Sequence, residues 1–203
     1  MKPAPFDLVR ATALDQVFEA FAAHGEDAVI LAGGQSLMPT LNMRLSAPKV
    51  LIDVNAIARL DGIEETPRGI RIGALARHRD VAASDLVRQR LPLIADAVRH
   101  IGHAAIRNRG TFGGSLALAD PAAELPACAL VLGAQLTLAG PEVERVVHAE
   151  DFFHGMFETA LAPGEILVSA TFPAPAECAV WGFAELARRH GDYAMAGLAV
   201  SGT

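Results

Sequence analysis

Two short stretches of this chain carry residue types that hold an anion without a metal or a cluster of cations. In Ala32-Gly33-Gly34-Gln35-Ser36 the glycine pair permits positive φ and removes side chains that would keep a ligand away from backbone N–H groups. If Ser36 opens a helix, with Pro39 tolerated in its first turn, the helix N-terminus adds unpaired donors and the positive end of a dipole. An ordinary strand-to-helix turn has the same composition. Gly110-Thr111-Phe112-Gly113-Gly114-Ser115 repeats the pattern with two hydroxyls beside the glycines. Two such loops can grip one extended, doubly charged ligand from both sides. Neither reads GxGxxG or GxxxxGK[ST], which argues against a nicotinamide-type Rossmann site and a nucleoside triphosphatase.

Other polar residues have several readings. Asp120 and Glu124 share a face if Pro121 starts a helix; they then serve as paired acids, as partners of the helix dipole, or as hydrogen-bond partners of ligand hydroxyls. Arg107 and Arg109 flank the second loop, where they assist an anion or cap the preceding helix. Tyr193, the only tyrosine, stands in RRHGDYAMAG, as a ring that stacks on a flat ligand or as a structural residue. The seven histidines have no metal-ligand spacing, and no nucleophile–base arrangement occurs. Cys128 and Cys178 lack any CxxC pattern, so both read as buried thiols rather than as cluster or zinc ligands.

Composition bounds the rest. A chain of 203 residues with 52% hydrophobic content supports one large core or two small ones. A net charge of −6 argues against nucleic-acid binding, so a bound anion must be held by local geometry. The opening MKPAPFDLVR lacks the apolar core of a signal peptide and no window has the length and apolarity of a transmembrane segment, so a cytoplasmic protein is expected.

The elements that must position these residues read as follows. FDLV at 6–9 is a short strand, Thr12 and Asp15 resemble a capping box, and Leu14, Val17, Phe18 and Phe21 recur at helical spacing until Gly25 in a left-handed C-terminal position. AVILA at 28–32 and VLIDV at 50–54 are buried strands, giving a small α/β unit. Beyond residue 60, GIRIGALARHRDVAASDLV predicts a strand, a turn and a polar helix, and LPLIADAVRHIGHAAI one longer amphipathic helix. A helical run through Leu132 and three strands, AQLTLAG, VERVVHAED and EILVSATFP, complete a mixed α+β lobe. FPAPAEC at 172–178 reads as a linker before a new strand pattern.

The AGGQSL, TxGGS and GDYA motifs, in this order and spacing, resemble the FAD-binding medium subunit of molybdenum hydroxylases, the group that includes aerobic carbon monoxide dehydrogenase and bacterial xanthine dehydrogenases. The likeness covers nearly the whole chain. It implies an α+β fold: a two-lobed FAD-binding domain of the vanillyl-alcohol-oxidase type, with lobes at 1–57 and 58–175, and the incomplete start of a C-terminal domain at 176–203. FAD would lie non-covalently between the lobes. The resemblance places residues Ala32, Gly33, Gly34, Gln35 and Ser36 at the pyrophosphate, with Ile30, Leu31 and Leu37 around them, and Thr111, Gly113, Gly114 and Ser115 in a second phosphate-side loop. Glu124, then Asp120, would meet the ribityl chain; Leu167, Ile101 and Tyr193 would border the isoalloxazine.

Ala76 and Leu118 depart from the threonine and histidine that many members carry. The implied function is electron transfer: iron–sulfur clusters on a small subunit pass electrons from a molybdenum large subunit to FAD, which passes them to an external acceptor. The implied assembly is a dimer of heterotrimers, with the molybdenum cofactor and [2Fe-2S] clusters on partners only. A scaffold without tight FAD and a stand-alone FAD reductase are the alternatives.

Overall fold

The computed structural model describes residues 2–174 and 178–203. The first lobe is built from β1 (Asp7–Arg10), α1 (Leu14–His24), β2 (Ala28–Leu31), α2 (Leu37–Asn42) and β3 (Val50–Asp53). Its three strands form a parallel sheet in the order β1-β3-β2. The capping box expected at Thr12 and Asp15 is not formed: Ala13 stands at the N-cap of α1 without a side-chain cap, and the Thr12 backbone N–H and Oγ1 instead donate to Gln16 Oε1 at 2.7 and 3.2 Å. Gly25 has the positive φ of +53° but a ψ of −130°, so it ends α1 outside the left-handed helical well.

The second lobe follows with β4 (Ile63–Thr66), β5 (Gly69–Gly73), α3 (His78–Ala83), α4 (Asp85–Arg90), α5 (Pro92–Ala97), α6 (Ala104–Arg109), α7 (Phe112–Leu118), α8 (Glu124–Val131), β6 (Gln135–Ala139) and β7 (Glu144–His148). Then come α9 (Ala149–Phe152), β8 (Phe153–Gly155), β9 (Glu158–Thr159) and β10 (Ile166–Phe172). An antiparallel sheet runs β4-β5-β10-β6-β7. Two helices predicted as single are each divided. Ser84 ends α3 and caps α4, its Oγ accepting from Val87 N–H at 3.3 Å. Gly102, at φ +45°, separates α5 from α6. The end of VERVVHAED is helical, because β7 stops at His148 and α9 begins.

β10 is the wall between two cores. Ile166 and Val168 are buried against the first lobe with Val17, Ile52 and Leu60, while Leu167, Ala170 and Phe172 are buried in the second with Phe112, Leu116 and Leu125. Alternation puts Ile166 and Leu167 on opposite faces, and the bulge between Leu167 and Ser169 shifts the register, so that Val168 stays with the first core while Ala170 and Phe172 face the second; one strand thus fastens both lobes together. A hairpin of β11 (Val180–Ala187) and β12 (Ala194–Gly202) follows, with Phe183 and Ala199 packed against the second core. The linker reading over 172–178 falls partly on residues 175–177, outside those described. Cys128 is buried as expected; Cys178 is exposed, because it stands at the surface-exposed start of the hairpin. Among the described residues no helix is long and apolar enough to cross a membrane.

Phe112 opens α7 at zero exposure and meets Phe172 edge-on, with ring centroids 6.0 Å apart. Phe112→Ala should cost about 3–5 kcal/mol in chemical denaturation. Leu186→Ala, at a side chain 63% exposed, should change stability by less than about 0.5 kcal/mol.

Candidate functional site

One large cleft, of about 750 Å³, lies between the lobes, and both glycine loops line it. The first loop leaves β2 and leads into α2. Its shape depends on close approach: a Cβ on Gly33 would stand 2.5 Å from the Arg109 carbonyl oxygen and 2.9 Å from Gly110 Cα, so the two loops lie back to back. Gly34 has φ +71°, a conformation that glycine adopts without strain. The backbone N–H groups of residues 33–37 donate to no carbonyl or side chain among the described residues. α2 has only six residues, so these amides, rather than a helix dipole, are the electropositive feature.

The second loop is constructed differently. Phe112 and Gly113 donate to the Ala76 and Ala74 carbonyls, both at 2.8 Å, and Gly114 donates to Thr111 Oγ at 3.2 Å. A Cβ on Gly113 would run into Ala74. The amides of Phe112, Gly113 and Gly114 are therefore committed, and the loop presents the Thr111 and Ser115 hydroxyls and a small-residue surface. Arg77 ties the lobes together behind it, donating to the Arg109 carbonyl and, at 2.6 Å, to Asn55 Oδ1. Arg107 caps the Ile101 and Gly102 carbonyls at 2.9 and 2.7 Å.

Of the residues singled out from sequence, Ile30, Ala32, Gly33, Gly34, Gln35, Ser36, Leu37, Ile101, Thr111, Gly113, Gly114, Ser115, Asp120, Glu124, Leu167 and Tyr193 all line this cleft. Leu31 does not. Its side chain packs beneath the loop, where a Cβ on Gly34 would come within 3.2 Å of Leu31 Cδ1. Sequence reasoning missed Phe21, His78 and Glu165, which also line the cleft. Phe21 was absorbed by the helical periodicity of α1, and Glu165 precedes β10 in a turn, paired with Arg145 at 2.7 Å.

The electrostatics favour polar recognition without a resident cation. Among the described residues no Lys or Arg lines the cleft, whereas Asp120, Glu124, Glu165 and Asp192 do. Burial pushes Glu124 up to about 7, opposed by its own backbone amide and assisted by Glu185 and Asp120. Burial, then Arg107 and Arg77, pushes His78 down to about 4, leaving a neutral imidazole under Gly110. Buried Cys128 is pushed up to about 12 by burial and Glu124, and is not a nucleophile at neutral pH.

Fold and cleft together define a two-lobed α+β domain whose cleft combines free backbone amides, two hydroxyls and largely apolar walls. The chain belongs to the family described as the FAD binding domain in molybdopterin dehydrogenase, which matches residues 4–175. Caffeine dehydrogenase subunit beta of Pseudomonas sp. (strain CBB1) is 40% identical over 201 residues, covering 98% of this chain and 68% of that protein. The carbon monoxide dehydrogenase medium chain of Hydrogenophaga pseudoflava is 38% identical, covering 98% of this chain and 70% of that one. The solved carbon monoxide dehydrogenase of the same organism, in the form lacking the Mo-pyranopterin moiety, superposes with a TM-score of 0.97 over 99% of this chain and 70% of that chain, at 38% identity.

Glu124 makes stability depend on pH. Its folded value lies above the ordinary 4.5, so the unfolded chain loses this proton first as pH rises. The contribution is complete below about 4.5 and is lost as pH climbs through about 7. Thermal melts across that window should show wild type losing stability that Glu124→Gln retains.

Proposed function

We propose that this chain is the flavin subunit of a molybdenum hydroxylase, binding FAD non-covalently in the cleft between lobes at 1–57 and 58–175, with 176–203 as the start of a further unit. The observation that carries this reading is the row of unpaired amides at residues 33–37, set where the two lobes meet. A pyrophosphate is the dianion such a row accepts without a positive side chain. The cleft tests the fit: its first loop is a cradle with free donors, its walls are largely apolar, and a Cβ on Gly33 or Gly113 would fill space that backbone now occupies.

In this reading the amides of 33–37 bind the phosphates, and the Thr111 and Ser115 hydroxyls add donors from the adjoining loop. Asp120 and a largely protonated Glu124 hydrogen-bond the ribityl hydroxyls, Glu124 as donor as well as acceptor below about pH 7. Leu167, Ile101 and Tyr193 enclose the ring and restrict water. FAD, when bound, supplies the one- and two-electron chemistry; the protein supplies binding, orientation and tuning. None of these residues is assigned as a general base. Electrons would arrive from iron–sulfur clusters of a small subunit, themselves reduced by a molybdenum large subunit, and leave to an external acceptor, in a dimer of heterotrimers.

The test separates binding from folding. Ser36→Asp places a carboxylate at the N-cap of α2, where it favours the helix start yet occupies the amides and repels a phosphate. Flavin fluorescence titration should give saturable binding for wild type and at least about tenfold weaker binding for Ser36→Asp, with an unchanged melting temperature. Equal affinity in the variant would refute the cradle, and absence of flavin even with the iron–sulfur and molybdenum subunits added would refute the flavin role. Turnover by the isolated chain would point instead to a stand-alone reductase.

A further inference from the structure

His78 opens α3 and is only 4% exposed, yet it is one of the residues that line the cleft. Backbone and ring are both fixed against Gly110. The His78 N–H donates to the Gly110 carbonyl at 3.1 Å, and the imidazole fills the space beside that glycine, where a Cβ would stand 2.6 Å from His78 Cδ2 and 2.9 Å from Nε2. Gly110 Cα is also the atom that a Cβ on Gly33 would approach to 2.9 Å. One glycine therefore has the backbone of the first loop and the His78 ring as neighbours.

The two ring nitrogens differ. Nδ1 is buried and has no hydrogen-bond partner among the described residues. Because Nδ1 is enclosed, the ring reaches the cleft from its other side, where the Cδ2–Nε2 edge meets Gly110, itself a cleft residue. Among the described residues the one histidine ring nitrogen with a hydrogen bond belongs to His154, so Nε2 of His78 is uncommitted. Burial, then Arg107 and Arg77, oppose a charge on this ring, and an uncharged imidazole carries one N–H and one bare lone pair. An enclosed N–H without a partner forfeits its bond to water outright, and such donors are rarer than under-used acceptors. The proton therefore belongs on Nε2 and the lone pair on Nδ1.

We propose that His78 is a further ligand-binding residue of the cleft: its Nε2–H donates to the anionic group that the free amides of the first loop hold. In the proposed function that group is the pyrophosphate of FAD and the acceptor is a phosphoryl oxygen. The identity of the ligand rests on that reading; the tautomer and the place of the donor do not. Other donors nearby are already engaged. Arg77 donates to the Arg109 carbonyl and to Asn55, Arg107 donates to the Ile101 and Gly102 carbonyls, and the amides of Phe112, Gly113 and Gly114 are committed within the protein. His78 thus supplies a donor where the two loops meet, and does so without a charge.

Long-range ¹H–¹⁵N spectra of the histidine rings, recorded on the full chain without flavin at neutral pH, report which nitrogen of His78 carries the proton. A single proton on Nε2 is expected; a proton on Nδ1, or on both nitrogens, would overturn the proposal. Adding FAD should then move the Nε2 signal, and a signal unmoved at saturation would also overturn it. Substitutions separate the donor from the space it fills: glutamine carries its N–H₂ group near the place of Nε2, asparagine carries it near Nδ1, and phenylalanine keeps a ring without a donor. His78→Asn and His78→Phe should bind FAD about tenfold more weakly than wild type, and His78→Gln at least about fivefold more tightly than either. Wild-type affinity in His78→Phe would reduce the ring to a filler of space and overturn the donor. Melting curves identify any variant that fails to fold, in which case the wild-type spectra decide alone. No FAD binding by wild type, alone or with the iron–sulfur and molybdenum subunits, would refute the flavin reading instead. Inorganic pyrophosphate then replaces FAD as the probe: a moved Nε2 signal supports the donor, and an unmoved one at saturation overturns it.

Discussion

The cleft exists because Gly33 has no side chain. With a Cβ there, the first loop would collide with the Arg109 carbonyl and the Cα of Gly110, and the lobes would be forced apart at the point where they form one wall. Gly73 has the same relation to the Leu60 and Asp61 backbone, and Gly113 to Ala74. These close approaches bring main chain to main chain, which no rotamer change can relieve. They also fix where the free amides point, since the loop that carries them is supported from behind by the second loop's backbone. Arg77 adds to the join by holding a carbonyl of one lobe and a side-chain amide oxygen of the other.

The two glycine loops look alike in sequence and differ in what they leave unsatisfied. The first keeps its donors free, whereas the second has committed them to the Ala74 and Ala76 carbonyls and to Thr111 Oγ. One loop supplies electrostatics and the other supplies shape. This division suits a chain of net charge −6 whose cleft is lined by acids. Oriented backbone dipoles hold an anion without the long, mobile cations that would otherwise crowd a narrow cleft. The cleft acids remain compatible with that role because Glu165 is neutralised by Arg145 and burial keeps Glu124 largely protonated at moderate pH.

The sequence made the cleft's chemistry more legible than its geometry. Glycine pairs, hydroxyls, Asp120, Glu124 and Tyr193 announce themselves by type and local spacing, and the longer buried strands of both lobes follow from short apolar runs. The break at Gly102 was hidden because LPLIADAVRHIGHAAI keeps helical periodicity on both sides of it, and a lone glycine is tolerated within many helices. β4 was overlooked because Ile63–Thr66 is a largely exposed edge strand with little apolar content. The back-to-back contact of Gly33 with Gly110, the buried neutral His78 and the orphaned oxygen of Glu185 are products of tertiary packing. No local pattern encodes them.

The central claim is that one ligand is held by both loops at once, through the free amides of the first and the hydroxyls of the second. Backbone ¹H–¹⁵N spectra of the chain, recorded as FAD is added, test it most directly. The account predicts large shifts at residues 33–37, smaller ones at Thr111 and Ser115, and little change at Phe112 and Gly113, whose N–H groups are already bonded. Shifts confined to other surfaces, or spectra unchanged at saturating FAD, would contradict it.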